Sequence, residues 1–167
     1  MKNLTLIVPA KNEPESLPIV LNELKKFEYK ICIVLHVTDT KTIESIKDYD
    51  VNIIYQKNFG YGDAIIEGIN NCNTEYFCIF NADGSFNPSE IDGMFESMQT
   101  RNLDFIFASR YESNSGSEDD TILTLIGNYI FTYIGKIFFR LNVSDILYTF
   151  LIGRTNKAKK LNLSQKS

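Results

Sequence analysis

A chain of 167 residues with 44% hydrophobic and 23% charged side chains can bury one compact core and lacks the bias of a disordered segment. One histidine, His36, and three cysteines without CxxC spacing, Cys32, Cys72 and Cys78, argue against a zinc cage and a disulfide framework, and for buried reduced thiols in a cytoplasmic protein. Residues 1–120 hold ten basic against twenty acidic side chains, and residues 121–167 seven against one; no basic stripe suits nucleic acid, whereas the basic end suits an anionic membrane surface.

In chain order, the apolar run at residues 4–8 predicts a buried strand. A helix follows, with Asn12 and Glu15 at capping-box spacing and Leu17, Val20, Leu21 and Leu24 on one face. Residues 31–37 predict a second strand, 42–46 a short helix and 51–55 a third strand. The turn Asn58-Phe59-Gly60-Tyr61-Gly62 leads into a helix carrying Ala64, Ile65, Gly68 and Ile69. Residues 76–80 predict a fourth strand, running into the polar turn 81–87. A second capping box, Asn87 with Glu90, opens a helix whose inner face is Ile91, Met94, Phe95 and Met98. Residues 105–108 predict a fifth strand. This alternation implies an α/β fold, a mostly parallel sheet with helices on both faces, with ligands beyond the carboxyl ends of the strands.

The expected organisation is one domain: an α/β core at 1–111, a mobile polar loop at 112–120, an apolar helical segment at 121–153 and a basic tail at 154–167. In the third part Ile122, Leu125, Ile126, Tyr129, Ile130, Tyr133, Ile134, Ile137 and Phe138 recur at helical intervals. Such a stripe suits peripheral contact with anionic lipid, a homo-oligomer interface, or packing on the parent sheet. The apolar run at 129–139 is broken by Lys136, so no transmembrane helix is predicted.

The polar side chains cluster in the predicted strand-end turns. Asn81 and Asp83, two apart after a buried strand, can share a hard cation such as Mg2+ or Mn2+, although Asn-Ala-Asp-Gly is also ordinary turn chemistry. Gly60 and Gly62 open a helix and permit close approach of a phosphate, or simply a tight turn; the dinucleotide-binding fingerprint fails at Ile65. Arg110, just past the fifth strand, can clamp a phosphate or form a surface ion pair. Asp39 can meet a base or ribose, or cap the helix at Thr42.

Taken in order, Leu6-Ile7-Val8-Pro9-Ala10-Lys11-Asn12-Glu13, Asn58-Phe59-Gly60-Tyr61-Gly62-Asp63-Ala64, Phe80-Asn81-Ala82-Asp83-Gly84-Ser85 and Ala108-Ser109-Arg110-Tyr111 resemble family 2 glycosyltransferases, most of all the polyprenyl-phosphate branch. The resemblance implies a GT-A (Rossmann-like) fold in which Pro9, Ala10 and Glu13 lie near the nucleotide base. It also implies that Asp83 is the main ligand of Mg2+ or Mn2+ in a DxD-like motif, with Ala82 between it and Asn81, which replaces the usual first aspartate. Ser144-Asp145 resembles the segment where this branch carries an aspartate near the acceptor. The paired aspartates usual after the second strand are replaced by His36-Val37-Thr38-Asp39.

The function implied is metal-dependent, inverting transfer of a sugar from a GDP- or UDP-linked donor to a polyprenyl phosphate, at the cytoplasmic face of the membrane. Catalysis is assigned to Asp145 and Arg110, and substrate binding to Pro9, Ala10, Glu13, Asp39, Gly60, Gly62, Asn81, Ala82 and Asp83. The end of the chain at Ser167 and the Asn81 replacement favour a rival, a nucleotide-sugar-binding or assembly module without turnover. A sugar nucleotidyltransferase is a further alternative, opposed by Glu13 and Glu15 where a glycine-rich basic loop is needed.

Overall fold

The computed structural model describes residues 3–109, 129, 132, 133, 135–137, 145 and 147–164. The elements are β1 (Leu4–Pro9), α1 (Ser16–Leu24), β2 (Lys30–Leu35), α2 (Thr40–Ser45), β3 (Asn52–Tyr55), α3 (Tyr61–Asn71), β4 (Tyr76–Ile79), α4 (Glu90–Thr100), β5 (Phe105–Phe107), β6 (Leu151–Arg154) and α5 (Thr155–Lys160). The strands form one sheet in the order β3-β2-β1-β4-β6-β5. β1 pairs in parallel with β2 and β4, and β2 with β3; β6 runs antiparallel to β4. The chain forms two compact units, Met1–Ile106 with Leu151–Ser167, and Phe107–Phe150.

β1 reads as an unbroken apolar run because both faces of the sheet are covered. Ile7, Cys32, Val34, Phe77 and Ile79 form one core with Ala64 and Ile69 of α3 and Ala158 of α5. The intervening residues Leu6, Val8, Ile33, Leu35 and Cys78, which face the other way by strand alternation, are fully buried too. α4 contributes there, with Phe95 edge-on to Tyr76 at a centroid distance of 5.1 Å. All three cysteines are free and buried. Burial pushes the Cys32 thiol up to about 11, as expected of inert thiols.

Both expected capping boxes are absent. α1 starts at Ser16, and its N-cap Glu15 makes no side-chain cap bond; Asn12 instead adopts a left-handed φ of 57°. α4 starts after Ser89, and the Asn87 side chain accepts from the Ser89 N–H and hydroxyl at 3.1 and 2.8 Å. Asn87 therefore closes an Asx turn rather than a helix.

The larger difference is at the C-terminal end. Residues 151–153, assigned from sequence to an apolar helix, begin β6, and part of the expected basic tail is α5. β6 has four residues and joins α5 without a loop, so it carries neither alternation nor a turn signal of its own. The basic side chains here have partners within the protein. Arg154 donates to Glu75 at 3.1 Å, to Asn102 at 2.9 Å and to the Leu103 carbonyl at 3.2 Å. Lys157 donates to Asp104 and Lys159 to the Cys72 carbonyl. The expected loop at 112–120 and six residues of the stripe, Ile122, Leu125, Ile126, Ile130, Ile134 and Phe138, lie outside the described residues. Tyr129, Tyr133 and Ile137 are helical and exposed. Among the described residues no helix is long and apolar enough to cross a membrane.

Gly153 tests the β6 assignment. A Cβ there would stand 2.7 Å from Phe77 and 2.8 Å from Phe105, so Gly153→Ala is expected to destabilise the protein by about 1–3 kcal/mol through overpacking. Urea titration should show a lower midpoint with an unchanged slope. A raised midpoint, as alanine gives in a helix interior, would refute the strand.

Candidate functional site

The carboxyl-end turns of β1, β2, β3 and β4 meet around one cavity of about 550 Å3, within the usual range for ligand pockets. The first wall comes from the turn after β1: Pro9, Ala10, Lys11, Asn12 and Glu13. The Ala10 N–H donates to the Val34 carbonyl at 2.9 Å, which extends the sheet into this turn and holds it beside β2.

Asp39, at the end of the turn after β2, fastens two loops. One carboxylate oxygen accepts the Asn12 N–H at 2.7 Å, and the other the Thr42 N–H at 3.4 Å. Asp39 is thus the N-cap of α2, the local alternative to a base or ribose contact. Thr42, fully buried, accepts the Glu13 N–H at 2.9 Å through its hydroxyl. Glu13 in turn accepts from the Ser16 hydroxyl. Both acids expected to meet the nucleotide base therefore line the cavity while organising its wall.

The third wall is the turn into α3. Gly60 has φ of 116°, a conformation that favours glycine. The Asn58 backbone and side chain both donate to Asp63 at 2.9 Å, which closes the loop. Asp63 is 4% exposed. Burial pushes its pKa up, but the hydrogen bonds from Asn58 and Lys57 and the Lys57 charge outweigh this and hold the carboxyl below its ordinary value. Gly62 is not among the residues lining the cavity, and a Cβ there would meet nothing within 4 Å.

The fourth wall is Asn81-Ala82-Asp83. The Asn81 amide oxygen accepts from the Tyr61 hydroxyl at 2.9 Å, and its nitrogen donates to the Ser85 hydroxyl at 3.2 Å. The Ser85 N–H donates to Asp83 at 2.9 Å, and Gly84 takes φ of 80°. Among the described residues no group of three or more His, Cys, Asp or Glu side chains can hold a metal. A cation here would have one carboxylate, an adjacent amide oxygen and oxygens of a ligand, a donor set that fits Mg2+ or Mn2+ and not zinc.

Of the residues expected from sequence, Pro9, Ala10, Glu13, Asp39, Gly60, Asn81, Ala82 and Asp83 line this cavity. Arg110 lies outside the described residues. Asp145 belongs to the second unit, where it is 4% exposed and accepts the N–H groups of Leu147 and Tyr148 at 3.3 and 3.2 Å.

Sequence reasoning missed His36, Thr38, Gln56, Phe59 and Tyr61 as lining residues. The His36 and Phe59 rings stack at 4.1 Å, 28° from parallel. Only the β2–β3 pairing brings these positions together, so the sole available signal was their location in strand-end turns. Lysines, hard oxygen ligands, glycine-permitted backbone approach and flat aromatic faces together suit an anionic ligand carrying an aromatic ring.

The family model of Glycosyl transferase family 2 matches residues 5–161. Among solved structures, mannosyl-3-phosphoglycerate synthase from Rubrobacter xylanophilus matches with a TM-score of 0.69 at 14% identity, over 92% of this chain and 53% of that one. Glucosyl-3-phosphoglycerate synthase from Mycobacterium tuberculosis, in complex with Mn2+, UDP-glucose and phosphoglyceric acid, matches with a TM-score of 0.70 at 10% identity, over 92% and 56%. Its UDP complex gives 0.69 at 10% identity, over 92% and 57%. These likenesses show the GT-A-like fold, and the chain spans about half the length of the solved proteins it matches.

Asp63 gives the site an acid limit. Its pKa is lowered from 3.8, so its stabilising contribution is complete above that value and is lost as pH falls through the folded pKa. Thermal unfolding between about pH 2 and 4 should therefore fall less steeply in Asp63→Asn than in wild type. Parallel pH profiles would show that the carboxylate does not fasten the loop.

Proposed function

Because the chain belongs to glycosyltransferase family 2, we propose that it transfers a sugar, with inversion, from a nucleotide-sugar donor to a phosphate-bearing acceptor. The observation that carries this reading is the meeting of three motif turns and the Asp39 turn around one cavity. The M. tuberculosis neighbour was solved with Mn2+ and UDP-glucose, which supports a donor and a divalent cation of that kind here.

Asp83, with the Asn81 oxygen beside it, would hold Mg2+ or Mn2+. When bound, that ion supplies positive charge to a departing nucleoside diphosphate. The rest is the work of the chain. Gly60 lets the backbone come close to the diphosphate at the start of α3, whose first amides face an anion favourably. Pro9 and Ala10 bound the base end of the cavity, with Glu13 and Asp39 holding its shape. Arg110 is assigned to support the phosphates, and Asp145 to orient the acceptor.

In the transfer, an acceptor oxygen forms a bond to the anomeric carbon as the bond from that carbon to the diphosphate breaks, and the electron pair leaves with the nucleoside diphosphate. A phosphate acceptor is already ionised near neutral pH, so no strong general base is required. The motif resemblance favours a polyprenyl phosphate. The neighbour's phosphoglyceric acid keeps the same attacking group on a different molecule. One observation favours a second reading, a binding module without turnover: Asn81 brings no charge to the first position of the DxD-like motif.

Calorimetry with UDP and GDP in Mn2+ tests the shared core of both readings. Asp83→Ala is expected to weaken nucleotide binding by about 100-fold, the upper end of what loss of a group behind a metal ligand costs. Asn81→Asp should tighten Mn2+ binding, because affinity rises with ligand charge. Equal affinity in Asp83→Ala and wild type would overturn the metal site. Product analysis with UDP-glucose and GDP-mannose, each with polyprenyl phosphate or 3-phosphoglycerate, separates transfer from binding; no product with any pair would favour the second reading.

A further inference from the structure

The cavity contains a feature that neither the metal nor the phosphates explain. Phe59 lines it and is 67% exposed, which leaves a large apolar ring in water unless a ligand covers it. Its conformation is supported on both sides of the chain. His36 stacks on it at 4.1 Å, and the His36 ring is held in turn by Thr38, whose hydroxyl lies 2.8 Å and whose N–H lies 3.3 Å from Nδ1. The next residue is Gly60, fixed as the N-cap of α3. Below the ring, Gln56 donates to the Gly60 carbonyl at 3.3 Å. Phe59 thus stands on a braced loop.

The polar groups nearby point the same way. Asp39 has both carboxylate oxygens engaged, by Asn12 and Thr42. Glu13 accepts from Ser16, the Ala10 N–H is bonded to Val34, and the Gln56 amide nitrogen is turned to the backbone of its own loop. Groups that might read a base edge are largely occupied in building the wall. A flat exposed ring is what remains to grip a flat ligand.

We propose that Phe59, backed by His36, is the stacking platform for the nucleobase of the donor, so that the base is gripped mainly by its face. This rests on the nucleotide-sugar reading above. Every base has a π face, so the contribution is similar for uracil and guanine.

The test is calorimetry on wild type, Phe59→Ala and Phe59→Tyr, each with Mn2+, titrated with UDP, GDP and inorganic pyrophosphate. The expected result for Phe59→Ala is a loss of about 5- to 150-fold for whichever nucleoside diphosphates wild type binds, the range found for base–aromatic stacking. Pyrophosphate affinity should stay unchanged, and Phe59→Tyr should keep wild-type affinity. Ring-current upfield shifts of the base protons on binding should be present in wild type and reduced in Phe59→Ala. Because the side chain is mostly exposed, the variant should retain the wild-type melting temperature. Unchanged nucleotide affinity in Phe59→Ala would overturn the platform while leaving the donor site intact. An equal loss for pyrophosphate would also overturn it, showing that Phe59 shapes the phosphate turn instead. Failure of wild type to bind either nucleotide would overturn the nucleotide-sugar reading itself, and the platform with it.

Discussion

The bonds from Asn12 and Thr42 to Asp39, at 2.7 and 3.4 Å, determine where the turns after β1 and β2 stand relative to each other. Strand pairing fixes these turns only as far as Pro9 and Leu35, where the ladder hydrogen bonds run out. Beyond that point the backbone needs other partners. A carboxylate is well suited, because bonds to an ionised acceptor are stronger than neutral ones. Asn12 presents its N–H from a left-handed conformation that asparagine tolerates better than most residues. Thr42, buried and accepting from Glu13, adds a second tie. The wall against which a donor would rest is therefore built before any ligand arrives.

The other half of the cavity is fastened by a similar device. Asp63 gathers Asn58, Gly60 makes the turn, and Tyr61 reaches from the first turn of α3 to Asn81. Asn81 continues through Ser85 to Asp83. A chain of hydrogen bonds thus links the helix that would meet phosphate to the carboxylate that would meet metal. Held rotamers of this kind are what a binding site needs if its geometry is to stay within a few tenths of an ångström.

Much of this architecture was legible in the sequence. β1 to β5 announce themselves as apolar runs because a doubly covered sheet leaves no polar face, and their predicted ends err by two residues at most. The helices were legible by their apolar faces, but their caps were not: Asn12 and Asn87 have the right spacing for capping boxes and are drawn instead into loop contacts. β6 escaped notice because its apolar residues continue the preceding stripe and its neighbour β4 is some seventy residues away. In the site, glycine and acid motifs marked the four turns correctly. What the motifs could not convey was partnership. Asp39 was ambiguous between cap and ligand contact until Asn12 was seen beside it, Gly62 needed no glycine, and the His36–Phe59 stack depends on strand order.

The neutral side chain at position 81 bears on how a donor and a cation would enter together. With a second aspartate the turn would offer a divalent ion two charges; here it offers Asp83 alone and an amide oxygen already shared with Tyr61. On the proposed reading, a larger part of the ion's coordination and charge balance must come from the diphosphate. Metal and nucleotide then raise each other's affinity, and by linkage the coupling is the same in both directions. Asn81 thus shifts the site from one that stores a cation towards one that takes it up with its donor. The braced wall matters more in such a site, since Asp39, Asp63 and Tyr61 hold the shape that the ion cannot impose in advance.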